Sequence, residues 1–263
     1  MAQSIKPRVL MLGLLPIVVN AIFTPMIIGA LVGFREFAKN NVYHIFLYGP
    51  YLWSIYDVVF AYLAFMFFKS EGENIREILG GIRDKPLLST TIAIGLVVVC
   101  MPLSYGLSLV FGSGYDTSIF KALPLHVLLY LATIGSIIAG ACEELTWRGY
   151  LLTRLEKLTG KTIVAVVIQA VLFGFYHGFT MYALSVMIFG LITGLIYAKS
   201  RRLIPLIIGH TRRRHPKNRS RALVSVLQVF DRITSELGYE TELERVAVIK
   251  RSAVRLFGSD RET

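Results

Sequence analysis

The stretch "ALPLHVLLYLATIGSIIAGAC" (residues 122–142) runs straight into "EELTWRGYLL" (residues 143–152). The first part has 21 residues, and His126 is its only acidic or basic side chain. About 20 apolar residues make a helix long enough to cross a bilayer. Two adjacent carboxylates, Glu143 and Glu144, then follow, with the Arg148 guanidinium four residues beyond the second. Charge is costly within or beside a membrane helix and marks a buried polar site when it occurs there. The alternative is an ordinary charged helix end at the membrane surface.

The rest of the chain supports the membrane reading. Of 263 residues, 54% are hydrophobic and only 17% are charged, against about a quarter charged in a soluble domain. Mean hydropathy is +0.60. The apolar residues come in blocks at 9–34, 42–68, 86–111, 122–142 and 162–198. The last is too long for one span and is interrupted by "HGFT" (residues 177–180), so it reads as two helices. A fragment at 203–209 is too short to cross alone. The expected fold is all-α: a multi-pass helical bundle of about six spans, a short seventh segment and a C-terminal soluble helical tail. Its divisions are residues 1–119 (N-terminal membrane helices), 120–210 (a membrane core) and 211–263 (a basic cytoplasmic tail).

Lys6 and Arg8 precede the first apolar block as they would in a secretory signal, but the block exceeds the usual length and has no convincing cleavage site. It reads as an uncleaved first helix. Through residue 210, thirteen Lys and Arg lie in the even-numbered connecting segments and three in the odd ones. That asymmetry places the N-terminus and the connection near Gly160 on the cytoplasmic side. The tail carries "TRRRHPKNRSR" (residues 211–221), which is excluded from hydrocarbon. With no aromatic residue interleaved, it reads as a lipid-adjacent basic run and not as a nucleic-acid site. Apolar residues at helical spacing follow at 223–237, and a weaker pattern at 242–257. Cys100 and Cys142, both in apolar segments, read as small buried hydrophobes.

Five groups of ionisable residues fall in or beside the apolar blocks. Glu144 and Arg148 are i and i+4, on one helix face, and can pair. Two adjacent carboxylates in a low dielectric do not both ionise easily, which leaves Glu143 suited to act as base and then acid. His177 follows in "FGFYH" (residues 173–177). In an antiparallel hairpin centred on Gly160, Glu143 and His177 lie equally far from the turn, about 25 Å along each helix. They can therefore face one another. His210 directly follows "LIPLIIG" and either joins the same cavity or begins the tail. Asp57 needs a buried partner, and a structural hydrogen bond is its expected role. His44 and His126, near helix ends, are weak candidates. The GxxxG spacings at Gly174–Gly178 and Gly190–Gly194 allow close helix packing.

"EELTWRG" resembles the EExxxR motif, and "FGFYH" the FxxxH motif, of the CAAX prenyl endopeptidase and bacteriocin-processing (CPBP, or Abi) family of intramembrane proteases. The resemblance covers roughly residues 120–210. It implies a helical membrane bundle in which Glu143 and His177 activate a water that attacks a peptide bond, supported by Glu144 and Arg148. His210 matches the family's later histidine, an oxyanion stabiliser. Four positions on, the family has asparagine or a similar residue, whereas this chain has Arg214.

The resemblance implies hydrolysis of a prenylated or membrane-associated protein at the cell membrane, with membrane lipids as the surroundings. No cofactor is expected, since the chain has neither HExxH nor a cysteine ligand set. A divalent metal at Glu143, His177 and His210 is the alternative use of the same side chains. Two other functions fit the sequence. One is a catalytically weak or inactive relative acting as a bacteriocin-immunity or membrane scaffold protein. The other is a proton-coupled transporter using Asp57, Glu143 and Glu144.

Overall fold

The computed structural model describes residues 2–80, 86–96 and 118–213, all within a unit spanning Met1–His215. Among the described residues every regular element is helical. The first is α1 (Ala2–Val18), which passes through a π-helical turn (Val19–Phe23) into α2 (Thr24–Val32). Pro25 lies in the first turn of α2. Proline has no N–H to return to the carbonyl four residues earlier, which accounts for the wider turn just before it. After α3 (Phe34–Lys39) comes α4 (Asn41–Ser70), 30 residues long and so about 45 Å. The short α5 (Ile75–Leu79), α6 (Pro86–Gly95) and α7 (Ser118–Ala122) follow.

The opening stretch forms α8 (Leu125–Ala132) and α9 (Ile134–Glu143), then a second π-helical segment (Glu144–Leu152) and α10 (Thr153–Thr159). The helix therefore does not end at the acidic pair. Its apolar path runs Leu125–Thr159, and the motif sits inside it. The chain reverses at Gly160, in the left-handed conformation (φ 65°) with its N–H donating to the Glu156 carbonyl. That is the αL helix stop for which glycine is preferred. Next come α11 (Thr162–Tyr176), α12 (Met181–Ser200) and α13 (Leu203–Arg213).

Among the described residues four helices are long and apolar enough to cross a membrane: Ile5–Val32, Asn41–Ser70, Leu125–Thr159 and Met181–Ser200. Thr162–Tyr176 is a shorter apolar helix. The break expected at "HGFT" is present, between α11 and α12. Of the expected third block, residues 97–111 lie outside the described residues, as do Arg214 and the helices predicted in the tail.

The pattern of burial fits lipid on the outside. Along α4, Ser54, Asp57, Ala61, Ala64 and Phe68 are buried, while Ile55, Val58, Val59, Tyr62 and Met66 are exposed. The outer face is thus as apolar as the inner one, and the polar residues point inward, as hydrocarbon requires. Closest packing is between α11 and α12. A Cβ at Gly190 would stand 3.1 Å from the Ala170 Cα. Gly178, by contrast, has φ 112° and open space around it. It serves the turn after α11, so the first GxxxG spacing is not a packing pair.

The basic segments of the even-numbered connections meet. Arg8 Nη1 lies 3.0 Å from Glu71 Oε1, and Arg154 Nε lies 2.7 Å from Glu71 Oε2. Arg154 and Lys157 both hold Glu73, at 2.8 and 2.6 Å. Arg201 and Glu156 form a bidentate pair at 2.7 and 2.8 Å. Burial alone would raise the Glu73 carboxyl, but hydrogen bonds from Lys157 and Arg154 outweigh it and hold it below its ordinary value. The hydrogen bonds from Arg201 to Glu156 push that guanidinium up. Arg154 is 1% exposed, its guanidinium over the Phe68 and Tyr150 rings.

Candidate active site

Glu143 ends α9 and Glu144 begins the π-helical segment. Their exposures are 2% and 0%, which disposes of the surface helix end. π-Helical turns inside α-helices are rare and concentrate at functional sites. Here the segment carries Glu144 and Arg148 through the middle of the bundle, flanked by buried Trp147 and Tyr150.

Arg148 Nη1 stands 3.2 Å from Glu144 Oε1, as the i, i+4 spacing predicts. Arg148 Nη2 donates to Thr193 Oγ1 at 2.6 Å. The guanidinium lies 4.2 Å from the Phe173 ring centroid and 5.6 Å from that of Phe189. The fully buried guanidinium thus meets one carboxylate, one hydroxyl and two aromatic faces. Thr193 itself donates to the Phe189 carbonyl at 2.8 Å.

His177 caps the C-terminus of α11 and is 16% exposed at its side chain. Its Nδ1 is 3.0 Å from the Phe173 carbonyl oxygen. A carbonyl only accepts, so Nδ1 carries the hydrogen. In the neutral ring Nε2 then presents its lone pair, and Nε2 lies 3.9 Å from Glu143 Oε1. That is too long for a direct hydrogen bond and falls in the range where a bridging water should be considered. The equal-depth spacing across the Gly160 turn therefore does bring the carboxylate and imidazole face to face.

His210 comes from α13 and is 4% exposed. Its Nδ1 is 2.8 Å from Glu144 Oε1, and its Nε2 is 3.5 Å from Glu143 Oε2. Of the two readings left open for this residue, the one that joins it to Glu143 and Glu144 holds. The helix can hold it because α13 continues beyond the seven apolar residues to Arg213. Phe189 meets the imidazole edge-on, with centroids 5.0 Å apart. All five predicted site residues thus fall in one cluster, four of them buried and His177 partly exposed, drawn from α9 with its π-helical extension, the C-terminal cap of α11, and α13.

Three contributors lay outside the sequence reading. Thr193 has no motif signal. Gly140 matters because α13 crosses α9 there: a Cβ at 140 would stand 3.0 Å from the Thr211 main-chain nitrogen and would also collide with the Thr211 hydroxyl. Glycine allows the approach that seats His210 beside the acidic pair. The third is Tyr176, whose hydroxyl donates to Asp57 Oδ1 at 2.7 Å. That gives Asp57 the buried hydrogen bond its position called for. His44 stands instead among Phe37, Tyr43 and Tyr48, and His126 is exposed. Among the described residues no group of three or more His, Cys, Asp or Glu side chains has an arrangement able to hold a metal ion.

No curated protein and no solved structure matches the chain. The family model for Rce1-like type II CAAX prenyl endopeptidases matches residues 124–212, the segment that contains all five clustered side chains. With this match and, among the described residues, four apolar helices of membrane-crossing length, the chain is a membrane protein whose residues 124–212 are similar to Rce1-like type II CAAX prenyl endopeptidases, consistent with the CPBP family.

Proposed function

We propose that the protein is a multi-pass intramembrane endopeptidase of the cell membrane that hydrolyses a peptide bond in a prenylated or otherwise membrane-associated protein. The observation that carries this reading is the 3.9 Å gap between Glu143 Oε1 and the lone-pair nitrogen of His177. A water seated there donates one hydrogen to the carboxylate and one to the imidazole. Its oxygen lone pairs are left to attack the scissile carbonyl carbon. Glu143 takes the proton as the C–O bond forms and returns it to the leaving amine as the C–N bond breaks, the base-then-acid sequence of a single positioned carboxylate.

Glu144 and Arg148 hold the frame. Glu144 accepts from His210 Nδ1 and is anchored by Arg148, so its charge is committed. With Nδ1 occupied in this way, His210 offers Nε2 on the same side as Glu143. In the doubly protonated ring that nitrogen carries a hydrogen and serves as the oxyanion donor, a contribution typically of about 100- to 1,000-fold in rate. The role does not require position 214, because the imidazole already reaches the cluster. Water activation by these side chains without a metal is part of the proposal: a chelator leaves the rate unchanged, whereas loss of activity on chelation with recovery on zinc addition overturns that part.

The test is cleavage of a farnesylated, membrane-anchored peptide by the purified protein in liposomes. The parent is expected to release the C-terminal fragment, and Glu143→Ala and His177→Ala are expected not to. Equal cleavage by the three proteins defeats the reading.

A further inference from the structure

Tyr176, the residue before His177, is gripped at both of its polar ends. Its ring hydroxyl donates to Asp57 Oδ1 at 2.7 Å. Its main-chain carbonyl accepts from Asn20 Nδ2 at 2.5 Å. The two partners come from different helices, 119 and 156 positions away in the sequence. Asn20 is itself fixed: its Oδ1 accepts from Trp53 Nε1 at 2.8 Å and from Thr24 Oγ1 at 3.2 Å. It sits in the first π-helical turn, Val19–Phe23.

These contacts have a local cause and a cost. Tyr176 closes α11, and the last carbonyls of a helix have no partner within it. Just beyond, Gly178 takes the chain away at φ 112°. An imidazole on such a helix end is prone to wander. Asp57 is 5% exposed and Tyr176 4%. Burying a carboxyl in a membrane bundle is costly unless it is paired, and an apolar contact would hold two helices together more cheaply. The contacts converge on Tyr176, the residue whose main chain leads directly into His177.

We propose that Asp57 and Asn20 are positioning residues for His177, acting through the two polar ends of Tyr176 and holding the imidazole at water-bridging distance from Glu143. They do not touch the reacting atoms. A transporter role for Asp57 is not needed to explain its burial. The inference rests on the proteolytic reading for its effect on rate, but the placement of the ring can be measured without it.

The experiment uses full-length protein labelled with 13C and 15N in histidine, with the His177 ring signal assigned from a His177→Gln spectrum. Tyr176→Phe, which removes a single oxygen, and Asp57→Ala are each expected to shift and broaden that signal while leaving the His44 signal in place. Asp57→Asn, which keeps an acceptor for the tyrosine hydroxyl, is expected to restore it. On the farnesylated peptide, kcat is expected to fall by about tenfold or more, as for a small misplacement of a reacting group, with KM unchanged. The Asp57→Ala/Tyr176→Phe double variant is expected to be no slower than the slower single one. An unmoved His177 signal in both single variants overturns the inference, as does Asp57→Asn matching Asp57→Ala, or a KM effect without a kcat effect. If the parent cleaves nothing while the ring signal responds, the proposed function fails and the positioning role stands. If the parent cleaves and the ring does not respond, only the positioning role fails.

Discussion

Among the described residues, two clusters of opposed charge are built differently. At the end where the basic connections meet, Glu71 and Glu73 face Arg8, Arg154 and Lys157, with contacts of 2.6 to 3.0 Å. The partners there are two guanidiniums and one ammonium, and the contacts are short. In the middle of the chain's longest apolar path, Glu143 and Glu144 face one guanidinium and two imidazoles, at 2.8 to 3.9 Å. The first cluster saturates its carboxylates. The second satisfies Glu144 and sets Glu143 opposite groups that can exchange a proton, at distances that admit a water. Short contacts to permanent cations hold a fold together; longer contacts to imidazoles suit proton transfer.

Breaking the second cluster should cost most. His177→Ala should lower the rate of peptide cleavage by about 100- to 10,000-fold, the usual contribution of a positioned proton-transfer group. Because the ring is partly exposed, the melting temperature should barely change. Initial rates and thermal unfolding of the same preparation check both halves. Gly140→Ala should come next. It forces α13 away from α9 and withdraws His210, and a displacement of about 1 Å in an active site can cost about 100-fold. A Gly140→Ala rate equal to the parent's would show that His210 need not approach.

Arg148→Met separates the frame from the chemistry. Removing one partner of a buried ion pair costs about 3–5 kcal/mol, so the melting temperature should fall by several degrees. The same substitution at Arg154 strips Glu71 and Glu73 of a shared partner, and it should destabilise without altering kcat in the folded fraction. Acid offers a gentler probe of the same end. The Glu73 carboxyl is held below its ordinary value of 4.5. Its contribution is therefore complete above that value and is lost as pH falls below it, through the lower folded value. Glu73→Gln should flatten the fall of melting temperature in that acid range by removing the contribution made at neutral pH, so the variant melts below the parent at pH 7 and converges with it in acid. Smallest of all, Glu156→Gln removes a pair whose arginine is about half exposed. It should shift stability by about 1 kcal/mol or less and lose even that in high salt.

Much of the site was legible because a hairpin converts sequence spacing into depth. Glu143 and His177 lie equally far from Gly160, and the αL stop falls on that glycine, so the two side chains meet. The i, i+4 spacing predicted the Glu144–Arg148 pair for the same kind of reason: helical geometry fixes it locally. His210 was ambiguous because apolar content ends at Gly209 while the helix does not. Backbone hydrogen bonding carries α13 on through Thr211, which packs against Gly140. Thr193, Gly140 and the Asp57–Tyr176 bond could not be read at all. Each depends on which helices become neighbours, and a hydroxyl or a glycine in an apolar helix has the same local appearance whether or not a partner awaits it. The two π-helical segments were equally hidden, since hydrophobic periodicity does not distinguish one widened turn.

The central claim is the division of labour between two adjacent carboxylates. It is tested most directly by the cleavage rate of Glu143→Gln on a farnesylated, membrane-anchored peptide, measured beside its melting temperature and compared with Glu144→Gln. The account predicts that Glu143→Gln keeps the parent's melting temperature and loses at least about 100-fold in rate, while Glu144→Gln unfolds at a lower temperature because Arg148 and His210 lose their shared anion. A Glu143→Gln protein that cleaves as fast as the parent would contradict it.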